Sequence, residues 1–383
     1  MQIPPPRTGN RLKVSRKAVP FGLWPTRVGT TGNHSLQPLL FSLDPWAIIE
    51  LAIEERCPAA NKPEAFASLE QSRDFYESAT QSKRIAARPL TLYYCLMNLV
   101  KAFCLTRDTR PTFDKAQHGL SEKLDPIPGA KELVNAFLDA FPSPNAQGVL
   151  QNFSEFRNAL IGNQIHAKIS LRLQEILPQI VPGHRLWSQA SGRKERFIAL
   201  HDIHFCSDST VKTMWLRLYF VAEDLYRLKL PYNLLLSTTR LSGSFAQVQC
   251  DEKLGDRNII CFEQTTPITY ATNKPANELS QIINPIKNLL WSTVSAIPPY
   301  RRYYVYTCPT PEQAALLPQL LSIYAVSYYL GSITRYRPHH FENLLRGPFG
   351  PRIQDFVTGQ PLQFLYLMAS EFSKQDIAKP SIL

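Results

Sequence analysis

Three polar residues, Asn98, Lys101 and His118, have the types and spacing of an anion-binding site. Asn98 and Lys101 lie in an apolar segment at 90–105, and residues three apart share one face of a helix. A lysine buried there needs a negative partner, because burying an unpaired charge is costly. That partner is either a carboxylate of the protein, in a packing network, or a ligand phosphate. His118 either joins this set or caps a helix end.

A second set combines cationic and aromatic side chains. Arg335, Tyr336, Arg337, His339 and His340 follow a long apolar segment. Guanidinium groups bind phosphates and aromatic rings stack on bases, so this composition is typical of nucleic-acid contacts. A solvated basic loop at a helix end has the same composition, and both interpretations stay open.

Common catalytic and cofactor motifs are absent from the sequence. It contains no GxxxxGK[ST] phosphate loop, no GxGxxG fingerprint, and neither HExxH nor GxSxG. His204, Cys206 and Asp208 would share one face of a strand, but the usual zinc spacings are missing. The sequence therefore predicts no metal and no cofactor, and leaves open whether the protein is an enzyme.

The scaffold that positions these residues is predicted to be α+β and mostly α-helical. A chain of 383 residues is long for one core. The predicted parts are a basic, Pro-rich extended arm at 1–40, a helical domain at 41–190, a β-rich module at 191–300 and a C-terminal helical segment at 301–383 that packs on the helical core.

Periodicity predicts individual elements within these parts. A helix opens at Asp44-Pro45, with Asp44 as its cap. Further helices are predicted over 66–105 with a break at Arg88-Pro89, at about 129–141, at 170–180 and from about 311 to 372. Strands are predicted at 197–201, 214–220, 245–250 and 258–262, with a turn at 254–257.

The charge favours an anionic partner. The chain carries 42 Lys and Arg against 31 Asp and Glu, for a formal net charge of +11. Six basic residues precede the first acidic one, Asp44: Arg7, Arg11, Lys13, Arg16, Lys17 and Arg27. Such an arm can bind a polyanion with release of counterions, or can serve solubility.

Cysteine usage and the N-terminal segment predict a cytoplasmic protein. Seven cysteines without a CxxC pair are typical of free thiols in a reducing compartment. The first residues are polar and basic, without the apolar core of a secretory signal. The uncharged stretch at 314–334 contains Pro318 and several polar side chains, so a buried helix is favoured over a membrane span.

Four short blocks carry a resemblance to a known family. They are Arg88-Pro89-Leu90-Thr91-Leu92-Tyr93-Tyr94, Asn98-Leu99-Val100-Lys101-Ala102, His118-Gly119-Leu120 and Arg335-Tyr336-Arg337-Pro338-His339. On these blocks the chain resembles the bacterial YaaC-like proteins over about residues 45–370. The helical core of that family is similar to the HEPN class, whose members include ribonucleases and inactive relatives in toxin and phage-defence systems. The resemblance implies RNA as partner or substrate, and a role in antiviral defence.

The same resemblance implies that catalytic residues would be an Arg and a His close together in the sequence. HEPN ribonucleases place an Arg and a His a few residues apart on one helix, where the His transfers protons and the Arg stabilises phosphate charge. Pairs of about this spacing are Arg27 with His34, Arg196 with His201, and Arg335 with His340, the last interrupted by Pro338. Arg157 and His166 have a suitable RN opening but eight intervening residues. The candidates are Arg335, His340, Arg157 and His166.

Three functions follow from these observations. The leading one is an intracellular bacterial protein that engages RNA or another phosphate-rich partner, with a HEPN-type ribonuclease effector as its enzymatic form. The second is a non-enzymatic module that docks a protein partner or another copy of the chain. The third is a nucleotide or small-molecule phosphate sensor that uses Lys101 and the arginines. Ionic strength separates the first from the second.

Overall fold

A computed structural model describes residues 2–14, 16–24, 39–107, 112–124, 133–250, 257–270, 278–295, 302–310 and 316–380. The chain divides into two compact units. The β-rich unit comprises residues 1–43, 194–313 and 374–383, and the helical unit comprises residues 44–193 and 314–373. Helices and several small sheets occur together, so the predicted α+β class is confirmed.

Helices and short strands are interspersed along the chain. The helices are α1 (Pro45–Arg56), α2 (Lys62–Gln81), α3 (Arg88–Thr106), α4 (Asn152–Ile161), α5 (Leu173–Ile176), α6 (His184–Ser191), α7 (Ala222–Arg227), α8 (Tyr232–Thr238), α9 (Leu279–Ile283), α10 (Gln319–Tyr336), α11 (Pro338–Arg346) and α12 (Gly350–Ser373). The strands are β1 (Asn10–Arg11), β2 (Lys13–Val14), β3 (Lys17–Ala18), β4 (Leu39–Phe41), β5 (Ala116–Gln117), β6 (Leu120–Leu124), β7 (Ala136–Ala140), β8 (Leu150–Gln151), β9 (Ile169–Arg172), β10 (Phe197–Ala199), β11 (Asp202–Asp208), β12 (Thr213–Val221), β13 (Phe245–Val248), β14 (Ile259–Gln264), β15 (Ile268–Thr269), β16 (Leu290–Ser292), β17 (Tyr303–Tyr306) and β18 (Asp376–Ala378).

The β-rich unit is built on an antiparallel sheet of order β1-β11-β12-β14-β13, with β15 paired to β12. On β12, Met214, Leu216, Leu218 and Phe220 are all buried in one apolar core, as expected when alternate side chains share a face. The strands predicted at 197–201, 214–220, 245–250 and 258–262 are confirmed in outline. Most of the predicted turn at 254–257 lies outside the described residues.

The segment predicted to be an extended arm contributes to this sheet. Strand β1 pairs with β11, and Leu12 and Val19 are buried in the core of the unit. The backbone N–H of Arg7 donates to the Glu263 carboxylate at 3.1 Å. The described part of the arm is therefore folded, because its apolar residues have a sheet to cover. Residues 25–38, with Arg27 and His34, lie outside the described residues.

The central element of the helical unit is α3, which packs against α2, α4, α10 and α12. By length and composition α3 could also cross a membrane, and 72% of its apolar stretch is buried inside the protein. Helix α10 is buried from Gln319 to Ile333. It passes close to α3 at Gly331, where a Cβ would lie 3.0 Å from the Cβ of Tyr93.

Of two predicted helices of this unit, the one at about 129–141 is wrong in large part, and the one at 170–180 is wrong only at its start. Residues 136–140 form strand β7, which pairs with β6 and β9. Residues 169–172 form β9, and after it 173–176 are α-helical and 177–179 form a 3-10 helix. Buried Ala136, Leu138 and Ala140 alternate with more exposed or polar side chains. Such short runs fit a helix and a strand equally well, because they span too few residues to fix the period.

The helix predicted to open at Asp44-Pro45 is confirmed. The Asp44 carboxylate accepts hydrogen bonds from the N–H groups of Trp46 and Ala47, at 3.0 and 3.2 Å. It thereby satisfies two of the donors that a helix N-terminus leaves without a partner.

Candidate functional site

His118 is the centre of a cluster in the helical unit. It directly follows β5, and its Nδ1 lies 2.7 Å from the hydroxyl of Tyr93 on α3. Its carbonyl accepts a hydrogen bond from the Phe153 N–H in α4, at 3.2 Å. The next residue, Gly119, has a φ of +76° and would bring a Cβ within 3.0 Å of the Gln151 backbone. A side chain is thus excluded at 119, and the position of the imidazole is fixed by β8, α3 and α4.

The electrostatic surroundings of His118 bring the two predicted sets together. Burial lowers the pKa of His118, the positive charges of Arg335 and Lys101 lower it further, and Glu122 opposes them. A lowered pKa keeps the imidazole neutral at pH 7. Lys101 from the first set and Arg335 from the second therefore act on the same imidazole.

Lys101 and Asn98 are donors on one turn of α3, the first half-buried and the second buried. Burial lowers the pKa of Lys101, and the negative charge of Glu64 opposes this shift. Among the described residues Lys101 forms no ion pair. Asn98 is only 3% exposed, and its Nδ2 finds no hydrogen-bond partner in the described part of the chain. An unpaired buried donor costs roughly 1–3 kcal/mol, so Asn98 is costly to bury in the folded protein.

Arg335 and Arg337 have different partners. The Arg335 Nη1 donates to the Tyr94 hydroxyl at 3.1 Å, and its guanidinium carbon lies 4.9 Å from the ring centre of Tyr336. Tyr336 is 64% exposed, so an aromatic face beside a cation is open to solvent. Arg337 instead faces the Glu122 carboxylate, with Nη2 and Oε1 3.8 Å apart. Its charge is therefore largely balanced within the protein.

His339 and His340 do not join the His118 cluster. His339 is exposed, while His340 is buried, and their ring centres are 4.6 Å apart. His340 lines a separate cavity together with Trp187. The structure thus divides the second predicted set, with Arg335 beside His118 and His340 in the cavity.

The two pairs of catalytic candidates do not lie on single helices. Arg157 is in α4, but the helix ends at Ile161, Gly162 takes a left-handed φ of 65°, and His166 is exposed beyond it. Arg335 is in the last turn of α10, whereas His340 belongs to α11. These placements differ from the one-helix arrangement that the HEPN resemblance implies. Arg196 and His201 flank β10 instead of occupying a helix.

The strand residues considered for zinc have other contacts. His204 Nε2 lies 2.7 Å from the Asp202 carboxylate, and Cys206 is buried in the sheet. The described residues contain no group of three or more His, Cys, Asp and Glu side chains placed to hold a metal ion.

The sequence did not single out three residues that shape these sites. Tyr94 was visible only as a member of a family block, and nothing around Glu122 or Trp187 marked them as neighbours of Arg337 and His340. The pairing of β6 with β7 places Glu122, and that sheet was not predicted.

The protein is of the α+β class, and the charges of Lys101 and Arg335 act on the partly buried His118 in its helical unit. The chain belongs to the YaaC-like protein family, whose match covers residues 33–372. The family resemblance is thereby confirmed, and the HEPN-like core stays a prediction. No curated protein and no solved structure is significantly similar to the chain.

Proposed function

We propose that this protein binds single-stranded RNA at the cationic cluster formed by Asn98, Lys101, His118 and Arg335. The observation that carries the proposal is that the charges of Lys101 and Arg335, from distant parts of the sequence, both lower the pKa of one half-buried imidazole. Hydrogen bonds to the neighbouring Tyr93 and Tyr94 hold that imidazole and the Arg335 guanidinium on the same part of α3. Two cations held near the same group repel each other, and an anionic ligand removes that repulsion.

A phosphate group fits the donors of this cluster. Lys101 offers an ammonium group with no ion-pair partner among the described residues, and Asn98 offers a buried amide N–H. Oxygen atoms of a phosphate accept hydrogen bonds from both kinds of donor, and charge-assisted bonds of this type are the stronger ones. The neutral His118 adds a ring nitrogen without adding a charge.

The exposed ring of Tyr336 favours a single-stranded nucleic acid over a free phosphate. Single strands are bound by a cationic groove together with aromatic rings on which bases stack, and each stacked base contributes about 1–3 kcal/mol. Tyr336 is 64% exposed and has the Arg335 guanidinium beside it. A base on Tyr336 and a phosphate at Arg335 would be adjacent parts of one strand.

A more specific form of this proposal is that the protein cleaves the RNA it binds and acts in antiviral defence. Both rest on the HEPN resemblance. The geometry supports binding more directly than cleavage, because neither Arg157 with His166 nor Arg335 with His340 shares a helix.

The test is binding of a fluorescent 20-nucleotide single-stranded RNA, measured by anisotropy at low and at high salt. The variants are Arg335→Ala and Tyr336→Ala, with Arg346→Ala as the matched control. The Arg346 side chain is 77% exposed and pairs with Glu342 of its own helix, so Arg346→Ala removes the same charge from the surface of α11. The same mixtures run on a denaturing gel report cleavage, with Arg157→Ala and His166→Ala added.

We expect Arg335→Ala to weaken binding about tenfold, as for loss of a charge-assisted hydrogen bond, and Arg346→Ala to weaken it less than about twofold. We also expect binding to fall steeply as salt rises. An equal loss of RNA affinity in Arg335→Ala and Arg346→Ala would mean that the RNA is attracted by the overall positive charge of the protein and not by the cationic cluster. Absence of binding at low salt would overturn the proposal and favour a protein-docking module.

A further inference from the structure

A cavity of about 580 Å³ lies in the helical unit and shares no lining residue with the cationic cluster. Its volume is within the range of ligand pockets, roughly 300–1,000 Å³. Its walls come from several elements: Trp187 from α6, Gln174 from α5, and His340 and Asn343 from α11. A site assembled from elements so far apart in the sequence is held open by the fold and not by one loop.

The lining combines an aromatic wall with amide groups. Trp187 is 2% exposed and its ring stacks on that of His184, with centres 5.1 Å apart, so the indole is fixed in place. Asn135, Gln174 and Asn343 each bring a donor and an acceptor to the same space. This set matches the edge of a nucleobase, where donors and acceptors alternate and Asn or Gln binds in pairs of hydrogen bonds.

The charge of the lining selects for an anion. Arg193 lines the cavity and is exposed, and none of the described lining residues is acidic. A guanidinium group binds a phosphate through two parallel hydrogen bonds. The Arg193 backbone is held by the turn at the end of α6, where its N–H donates to the Ser191 hydroxyl at 3.3 Å.

We infer that this cavity is a mononucleotide site, with the base between Trp187 and the amide groups and the phosphate at Arg193. The inference does not depend on RNA binding at the cationic cluster, because the two sites have no residue in common. It gives the protein a second, small-molecule ligand.

The test is calorimetric titration of the full-length protein with AMP, GMP, CMP and UMP, and with the four corresponding nucleosides and inorganic phosphate as partial ligands. The variants are Arg193→Ala, Asn343→Ala and Trp187→Phe, and the controls are Arg335→Ala in the cationic cluster and Arg346→Ala on the outside of α11. Arg193 and Asn343 are exposed, so their replacement leaves the folded core intact.

We expect at least one of the four nucleotides to bind with one site per chain and a Kd below about 1 mM. Arg193→Ala should weaken binding of that nucleotide about tenfold and leave binding of its nucleoside unchanged, while Asn343→Ala should weaken both. Trp187→Phe should remove the quenching of tryptophan fluorescence by the nucleotide.

Two results would overturn the inference. One is the absence of binding by all four nucleotides at millimolar concentration. The other is binding that survives Arg193→Ala and Asn343→Ala but is lost in Arg335→Ala, which would place the nucleotide at the cationic cluster and support the proposed function instead. RNA binding that fails while nucleotide binding follows the expected pattern would leave the inference standing alone.

Discussion

The hydroxyl of Tyr93 and the Nδ1 of His118 lie 2.7 Å apart, and both groups are neutral at physiological pH. Burial raises the pKa of Tyr93 far above its ordinary value, and burial with two nearby cations lowers the pKa of His118. The hydrogen bond orients the imidazole and leaves Nε2 as its second polar atom. A proton on this ring would therefore be opposed by Lys101 and Arg335 until an anion arrives.

The lowered pKa of His118 predicts how stability depends on pH. Between the folded pKa and the ordinary value of about 6.5, the unfolded chain binds a proton that the folded chain does not. The free energy of unfolding should therefore fall as the pH drops below about 6.5. His118→Gln removes this contribution, so the wild type should lose more stability than the variant between pH 7.5 and pH 5.5. Urea unfolding at both pH values measures the difference.

The control for this experiment is His166→Gln, because His166 is exposed. That variant should lose as much stability as the wild type over the same pH interval. If His118→Gln also loses as much as the wild type, the imidazole titrates alike in the folded and unfolded chains, and the cations do not act on it.

Gly331 should tolerate no side chain, because α3 and α10 touch there. A Cβ at this position would lie 3.0 Å from the Tyr93 Cβ and 3.2 Å from the Pro89 carbonyl oxygen. Gly331→Ala should destabilise the protein by about 1–3 kcal/mol through overpacking, although alanine is the better helix former. Gly359→Ala in α12 is the matched control, since no atom of the described residues lies within 4 Å of its Cβ position.

We expect Gly359→Ala to stabilise the protein by up to about 1 kcal/mol, from helix propensity alone. Thermal unfolding of the two variants should thus shift in opposite directions. Stabilisation by both would show that α10 can move away from α3 without loss, and that the contact does not fix the helices.

Arg7 provides a test of whether the N-terminal segment is an arm or part of the sheet. Its guanidinium donates to the carbonyl oxygens of Gln264 and Thr265, at 2.6 and 2.5 Å. Arg7→Ala should destabilise the protein by about 1–3 kcal/mol, as two charge-assisted bonds are lost. Lys17→Ala removes the same charge from exposed β3 and should change stability by less than about 0.5 kcal/mol.

If the N-terminal segment is an extended arm that only attracts a polyanion, the effects of Arg7→Ala and Lys17→Ala on stability and RNA binding are different. The two variants would then leave the unfolding midpoint unchanged and weaken RNA binding by equal factors. Unfolding in urea, followed by binding of the same labelled RNA, separates the two cases.

The sequence predicted the elements with a strong local signal. Asp44 and Pro45 define a helix start through the chemistry of capping, and α3 contains an apolar run too long for a strand. Strands β7 and β9 were missed because each is short and the two pair with each other across about 30 residues of sequence. The many basic residues of the N-terminal segment favoured an extended arm in the prediction. The burial of Leu12 and Val19 was not predicted, because it depends on a sheet formed by residues 202–264.

The sequence named the candidate residues, but it left open whether Arg335 lies near the set of Asn98, Lys101 and His118. Asn98, Lys101, His118 and Arg335 came from three blocks of sequence, and only the crossing of α3 and α10 brings Lys101 and Arg335 to one imidazole. Arg337 and His340 follow Arg335 closely in the sequence, yet they face Glu122 and the cavity. After a helix ends, the backbone changes direction, so consecutive side chains point to different parts of the protein. Tertiary packing sets these directions, and the local sequence pattern does not predict them.

Asn98 decides between a ligand site and a packing residue. Its Nδ2 is buried without a partner among the described residues, so Asn98→Leu should make the free protein equally or more stable, by up to about 1–3 kcal/mol. The same change should weaken RNA binding if the amide meets a phosphate.

Asn61→Leu is the control, because Asn61 is similarly buried but donates to the Leu105 carbonyl at 3.2 Å. It should destabilise the protein, since it leaves that carbonyl without this donor. Lower stability in Asn98→Leu with unchanged RNA affinity would make Asn98 a packing residue and remove it from the cationic cluster.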